Sequence, residues 1–344
     1  MNEEWKNKYP GNLNEDLLGI DDSIITDLLE SSVSAYGSKT AYYSLKSSLN
    51  FTMTSLISKR LAAYLQFLGV KKNTKIAIML PNLLTYPISL FGCFYSGATV
   101  ININPMYKSR EIEHVLIDSE AEYIFVLDKF YGELKPCIEK SNLKKIIICK
   151  INDLLNPLMK IVVPLVMYYK KQTIKIEKNR KNIYFKDIIS NNFGYEDPHV
   201  EENDIALLQY TGGTTGKSKA AILTHKNLLS NVQQVSNWIE PHIKPGQEII
   251  ITALPLFHIF SFTVNCLTFL KIGAENVLIA NPRDLHSFID VLKKKKFTVI
   301  TAVNTLFNLL MTSKKFKNLD FSNFKFSVGG GMAVLSETAK KWKE

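Results

Sequence analysis

The chain has 344 residues, 46% of them hydrophobic and 22% charged, enough to bury a sizeable core in one large domain or two ordinary ones and unlike a disordered or fibrous sequence. Its formal net charge is +10, which suits an anionic partner such as a nucleotide or a membrane surface. The lysines are scattered and not interleaved with aromatics, and even the run Lys293–Lys296 reads as a solvated face; this argues against nucleic acid.

Residues 54–68 are predicted as an amphipathic helix, with Leu56, Leu61, Leu65 and Leu68 on one face, Lys59 and Arg60 off it, and Gly69 ending it. Then come a strand over Lys75–Leu80, a largely buried helix over Tyr86–Tyr95 stopping at Gly97, and a β-branched strand over Ala98–Ile103. A helix over Arg110–Asp118 and a strand over Tyr123–Leu127 follow. Strands alternating with helices, punctuated by Gly, Pro and Asn, predict an α/β domain with a mostly parallel sheet.

Residues 151–171 break this rhythm. The stretch Leu158–Tyr169 is apolar apart from Lys160, contains Pro164 and is followed by Lys170 and Lys171. It is too short to span a bilayer. It reads either as a segment covering the core between two subdomains or, over 157–171, as an element lying on an anionic membrane surface with its lysines at the headgroups. The alternation resumes with a buried strand over Ile205–Tyr210 and a helix over Lys226–Trp238. Further strands are predicted over Glu248–Leu254, Val277–Ala280, Val299–Val303 and Lys325–Val328. The organisation expected is a first α/β subdomain over 1–150, a connecting segment over 151–202, and a second α/β subdomain over 203–344.

Cys93, Cys137, Cys149 and Cys266 share no C-x-x-C spacing and sit in or beside apolar runs. They read as buried, reduced thiols of a cytoplasmic protein, without a disulfide framework or a zinc site. The polar start Met1–Lys6 has no apolar signal region, and no run of about 18 apolar residues is present to cross a membrane.

The segment that carries chemistry is Tyr210-Thr211-Gly212-Gly213-Thr214-Thr215-Gly216-Lys217-Ser218-Lys219-Ala220-Ala221. It follows a buried strand directly. Glycines let backbone N–H groups approach a ligand, hydroxyls add donors and Lys217 and Lys219 add charge, a combination that suits a polyphosphate. A Walker loop needs a glycine where Thr211 stands, so a P-loop NTPase is the runner-up.

This run closely resembles the phosphate-binding loop of the adenylate-forming superfamily, in the form typical of bacterial long-chain acyl-CoA synthetases. The resemblance extends over nearly the whole chain, through Met79–Pro87, Val100–Tyr107, Thr252–Phe260, Asn281–Asp284, Val303–Asn308 and Gly329–Met332. It implies the large N-terminal domain of that fold, with mostly parallel sheets packed between helices. It also implies two steps: ATP with Mg²⁺ activates a fatty acid as acyl-AMP, and coenzyme A then displaces AMP. By resemblance, Thr211, Thr214, Thr215 and Lys219, with the glycine amides, grip the β- and γ-phosphates, and Thr214 faces the metal. His258 stands at the mouth of the acyl pocket near the carboxylate, with Thr211 and Lys219 the other catalytic candidates. Phe257 and Phe260 are pocket wall. Asn304, Phe307, Gly329, Gly330, Gly331 and Met332 line the acyl tunnel, the glycine turn also lying near adenine.

Ser218 stands where many relatives carry proline, Ala220 where most carry glycine, and Ala333 where proline usually follows the glycine turn. The family pattern also continues past Glu344 with a Tyr-Gly-x-Thr-Glu motif, a ribose-binding aspartate, a hinge and a lid-domain lysine. The resemblance therefore implies a fold incomplete at its C-terminal end, lacking the lid domain, so that independent turnover is doubtful and a non-catalytic nucleotide- or acyl-binding remnant is the alternative.

Overall fold

The computed structural model describes residues 23–169, 176, 179–190, 192–212 and 217–344. Among them thirteen strands form two sheets. The strands are β1 (Thr40–Ser44), β2 (Ser47–Asn50), β3 (Lys75–Met79), β4 (Thr99–Asn102), β5 (Tyr123–Leu127), β6 (Lys145–Cys149) and β7 (Asn182–Tyr184). The series continues with β8 (Ile205–Thr211), β9 (Lys219–Thr224), β10 (Ile249–Thr252), β11 (Glu275–Leu278), β12 (Val299–Ala302) and β13 (Phe326–Gly329). One sheet has the order β7-β6-β5-β3-β4-β8-β9 and the other β13-β12-β10-β11-β1-β2. Every pairing is parallel except the edge hairpins β1–β2 and β8–β9. Strands such as Ile76–Met79 and Tyr123–Leu127 are buried throughout, as a parallel sheet covered by helices on both faces requires.

The sheets do not divide the chain at 150 or 202. Strands β8 and β9 extend the sheet built by β3–β7, while β1 and β2 join the sheet built by β10–β13. Hydrophobic pattern fixes that a segment is a strand but carries no record of which sheet it enters.

The helix predicted over 54–68 runs over Phe51–Phe67, because Asn50 caps it by accepting the Met53 amide at 2.7 Å. Leu56 is not on its buried face; it is exposed, whereas Thr54, Ser58, Leu61 and Leu65 face inward. At 100° per residue Leu56 lies about 140° round the helix from Leu61, and small polar residues complete the inner face. That face meets the helix Thr85–Tyr95 closely: a Cβ at Gly92 would stand 2.5 Å from Leu61 Cδ2. Gly69, at φ +93°, ends the first helix, with its amide on the Gln66 carbonyl and Val70 N–H on Leu65 O. The helix Ile25–Tyr36 and the β1–β2 hairpin lie in a region where no element was predicted.

The stretch 157–169 is a helix carrying Pro164 inside it, and none of its residues is fully buried. The predicted membrane segment extends to Lys170 and Lys171, which lie outside the described residues. All four cysteines are buried and unpaired. Burial raises the thiol of Cys266 to about 12 and lifts those of Cys93 and Cys149 well above their ordinary value.

Candidate active site

In a parallel sheet the carboxyl ends of the strands share one edge, where loops can converge on a ligand. Here the ends of β3, β4 and β8 in one sheet face the segment that leaves β10 in the other, and buried amides join them. Asn82, just past β3, donates to the carbonyls of Thr252 (3.0 Å) and Leu254 (2.9 Å) and accepts the Leu256 amide at 2.9 Å. The Tyr86 hydroxyl lies 2.9 Å from both Asn102 Oδ1, at the end of β4, and the Leu256 carbonyl. Gln209 in β8 donates to the Phe257 carbonyl at 3.2 Å. Asn82, Asn102 and Gln209 are all buried. A buried amide is costly unless its donors and acceptors are met, so this seam fixes Pro255–His258 against the first sheet.

His258 follows directly. Its ring packs on Phe257 at 4.5 Å between centroids while one side stays open to solvent. Partial burial lowers its pKa below the ordinary histidine value, so the ring is neutral at neutral pH and offers one donor and one acceptor. Phe257 is buried. Phe260 reaches the glycine turn: a Cβ at Gly330 would meet its ring at 2.5 Å, and one at Gly329 would meet Val334 at 2.3 Å. Gly331 has φ +75°, a conformation that favours glycine. Asn304 and Phe307 lie behind this turn. The Asn304 side chain donates to Ala333 O (2.9 Å) and accepts Leu335 N–H (3.0 Å), and buried Phe307 packs on Trp342 at 4.6 Å. Both residues therefore brace the turn. Met332 is exposed.

The predicted phosphate loop is a hairpin between β8 and β9, closed by the pairs Tyr210–Ala220 and Thr211–Lys219. Thr211, Gly212, Lys217, Lys219 and Ala221 are exposed, and nothing lies within 4 Å of a Cβ built at Gly212. Gly213, Thr214, Thr215 and Gly216 lie outside the described residues, and with them the predicted metal contact at Thr214. Ala220 sits in β9 and is not among the residues with positive φ, so alanine replaces glycine there without strain. A Walker loop runs from a strand into a helix whose N-terminus holds phosphate. This one runs into an antiparallel strand, which rules out the P-loop NTPase reading.

The helix Ser109–Asp118 holds both stems of the hairpin. The Tyr210 hydroxyl donates to Asp118 Oδ2 at 2.6 Å, and His114 Nε2 lies 2.9 Å from the Ser218 carbonyl. A carbonyl only accepts, so Nε2 carries the proton. No role is predicted from sequence for His114, Asp118, Asn82, Tyr86, Asn102 or Gln209. For Asn102 and Gln209 a signal existed: amides inside otherwise apolar strands. His114 and Asp118 sit on an exposed-looking helix and gave none.

Among the described residues no cluster of three or more His, Cys, Asp or Glu could hold a metal ion, and no helix is long and apolar enough to cross a membrane. What the site offers is open hydroxyls, amides and ammonium groups for an anion, next to a neutral histidine.

Residues 29–344 match the AMP-binding enzyme family, and the chain belongs to that family. It is 40% identical over 99% of its length to a long-chain-fatty-acid–CoA ligase of Escherichia coli O6:H1, and 38% identical over 100% to one of Yersinia pestis. In both cases it spans 62% of the relative's length. Among solved structures, a long-chain-fatty-acid–CoA ligase of Archaeoglobus fulgidus is similar with a TM-score of 0.79 at 25% identity, over 97% of this chain and 62% of that one. An anthranilate CoA ligase bound to anthranoyl-AMP shares the fold with a TM-score of 0.79 at 20% identity, over 93% of this chain and 57% of that one.

Proposed function

We propose that this chain is the nucleotide- and acyl-binding portion of an AMP-forming long-chain fatty acid–CoA ligase of the cytoplasm. The observation that carries the reading is the Gln209–Phe257 hydrogen bond, which sets the stem of the phosphate hairpin beside the Phe257–His258 turn although 48 residues separate them. A carboxylate at His258 would then lie next to a nucleotide held by Thr211, Lys217 and Lys219.

In the first step a carboxylate oxygen of the fatty acid attacks the α-phosphorus of ATP and pyrophosphate leaves. In the second the sulfur of coenzyme A attacks the acyl carbonyl carbon and AMP leaves. No covalent enzyme intermediate is required, so the residues act by position and charge. The ammonium groups of Lys217 and Lys219 offset the charge on the departing phosphates, and the Thr211 hydroxyl and Gly212 amide donate to their oxygens. Mg²⁺ bound with ATP would neutralise phosphate charge further, with Thr214 the hydroxyl that resemblance assigns to it. His258, kept neutral by burial, can donate a hydrogen bond to the carboxylate without forming an ion pair that would blunt its attack. Phe257 and Phe260 form apolar wall, and Gly329–Gly331, braced by Asn304 and Phe307, bounds the acyl site.

The test is to supply ATP, Mg²⁺, CoA and palmitate or oleate to residues 1–344 and measure ATP binding, pyrophosphate and acyl-CoA. The expected result is ATP binding that Lys219→Ala weakens, with pyrophosphate and acyl-CoA formed slowly or not at all by this span alone. Absence of ATP binding would refute the reading.

A further inference from the structure

The helix Pro157–Tyr169 is apolar on both sides. Met159 and Val163 turn inward and pack on the main core, as do Leu45, Ile151 and Leu154. On the other side Leu158, 68% exposed, and Ile161, 64% exposed, stand with Val162, Leu165 and Val166 in open solvent. Lys160 is the helix's sole charged residue. A surface helix normally presents a polar outer face, and a contiguous apolar one marks a surface that meets a partner or a membrane. The element is also firmly placed. Asn156 donates its backbone amide to Ser47 Oγ (2.9 Å) and its side-chain amide to the Lys46 carbonyl (2.7 Å), and it caps the helix by accepting the Met159 amide at 3.0 Å.

Three observations favour a lipid surface over another protein segment. The helix has 13 residues, about 20 Å, which is too short to cross a hydrocarbon core of about 30 Å but suits a helix lying flat. Tyr168 and Tyr169, at its C-terminal end, are strongly exposed, and tyrosine is a side chain that prefers the boundary between apolar and wet phases. Exposed Lys160 on the helix and exposed Lys46 in the turn beneath its start can meet anionic headgroups.

We propose that Pro157–Tyr169 is a membrane-interface element that lies along an anionic lipid surface, its outer apolar side chains at the acyl boundary and Lys46 and Lys160 at the headgroups. The inference does not depend on the ligase reading, and vesicle binding needs no substrate, so the two can fail separately. If both hold, the site is brought to the phase into which long-chain acids partition.

The experiment is co-sedimentation of residues 1–344 with phosphatidylcholine vesicles, with and without phosphatidylglycerol, beside size-exclusion chromatography of the free protein. The expected result is that most of the protein sediments with the phosphatidylglycerol vesicles and several-fold less with phosphatidylcholine alone. Ile161→Asp/Leu165→Asp should stay in the supernatant with an unchanged melting temperature, because both side chains are already exposed. Lys46→Glu/Lys160→Glu should lose the preference for phosphatidylglycerol. A wild-type protein that stays in the supernatant would overturn the proposal. So would binding that survives Ile161→Asp/Leu165→Asp, or a dimer that this variant dissolves with no vesicle binding.

Discussion

Asn82 meets two carbonyls and one amide of the opposite sheet from a single side chain. Replacing it by alanine would leave the buried Leu256 amide unpaired, whereas the carbonyls of Thr252 and Leu254 keep the Ile279 amide and the Ser261 hydroxyl. One unpaired buried group costs about 1–3 kcal/mol. Asn82→Ala should therefore lower unfolding free energy by about 2 kcal/mol, read from the urea midpoint; a change under about 0.5 kcal/mol would show that the seam is dispensable. His225 makes a second residue-level case. Its buried ring accepts the Ile25 amide on Nδ1 at 3.2 Å, and burial lowers its pKa to about 4 while Asp204 works weakly the other way. A histidine whose folded pKa lies below its unfolded value of about 6.5 contributes stability above that value. The contribution is lost as pH falls toward the folded pKa, because the unfolded chain binds the proton more readily. At about 1.4 kcal/mol per unit, the wild type should lose about 3 kcal/mol more between pH 7 and pH 4 than His225→Asn, whose Oδ1 can accept the same amide. Urea unfolding of both proteins across that range measures the difference, and parallel curves would refute it.

The helix Ser109–Asp118 acts as one brace because His114 and Asp118 are four residues apart and share a face. One holds Ser218 after the phosphate hairpin and the other holds Tyr210 before it. Removing one grip should loosen the hairpin without unfolding the sheet. The net worth of such a bond, about 0.5–1.5 kcal/mol, corresponds to roughly two- to ten-fold in affinity. His114→Ala should weaken ATP binding by that factor in calorimetry while leaving the melting temperature nearly unchanged. An unaltered dissociation constant would mean that the β8–β9 pairing positions the hairpin alone. Helix boundaries were legible to within a residue or two where capping was local, as at Gly69 and Gly97. The buried face of Phe51–Phe67 was misjudged, because Thr54 and Ser58 are buried there for close helix contact while Leu56 is left outside.

Across the whole molecule, the two sheets exchange edge strands: β1 and β2 come from the start of the chain to complete the later sheet, and β8 and β9 extend the earlier one. The four cysteines are buried on separate elements of the core. Burial also keeps the thiols protonated, and the thiolate is the reactive form. An aromatic disulfide reagent should therefore modify almost none of the four cysteines in the native protein and all four in urea. Rapid native modification of Cys93 or Cys266 would show that the core opens locally.

The sequence by itself determined the alternation of strand and helix, the parallel α/β class, and the glycine-, threonine- and lysine-rich segment from Tyr210 to Ala221. These are local properties, set by hydrophobic period, by glycine where the backbone must turn and by hydroxyls and charge that serve a phosphate. Only the tertiary structure decided that this segment is a hairpin and not the start of a helix. It alone showed that Gln209 meets the turn leading to His258, that Asn304 braces the glycine turn, and that Leu158, Ile161 and Leu165 face solvent. Each of these depends on what lies opposite a side chain in space. A hydrogen-bond partner 48 residues away, or the absence of a covering layer, leaves no mark on the local pattern of polar and apolar residues.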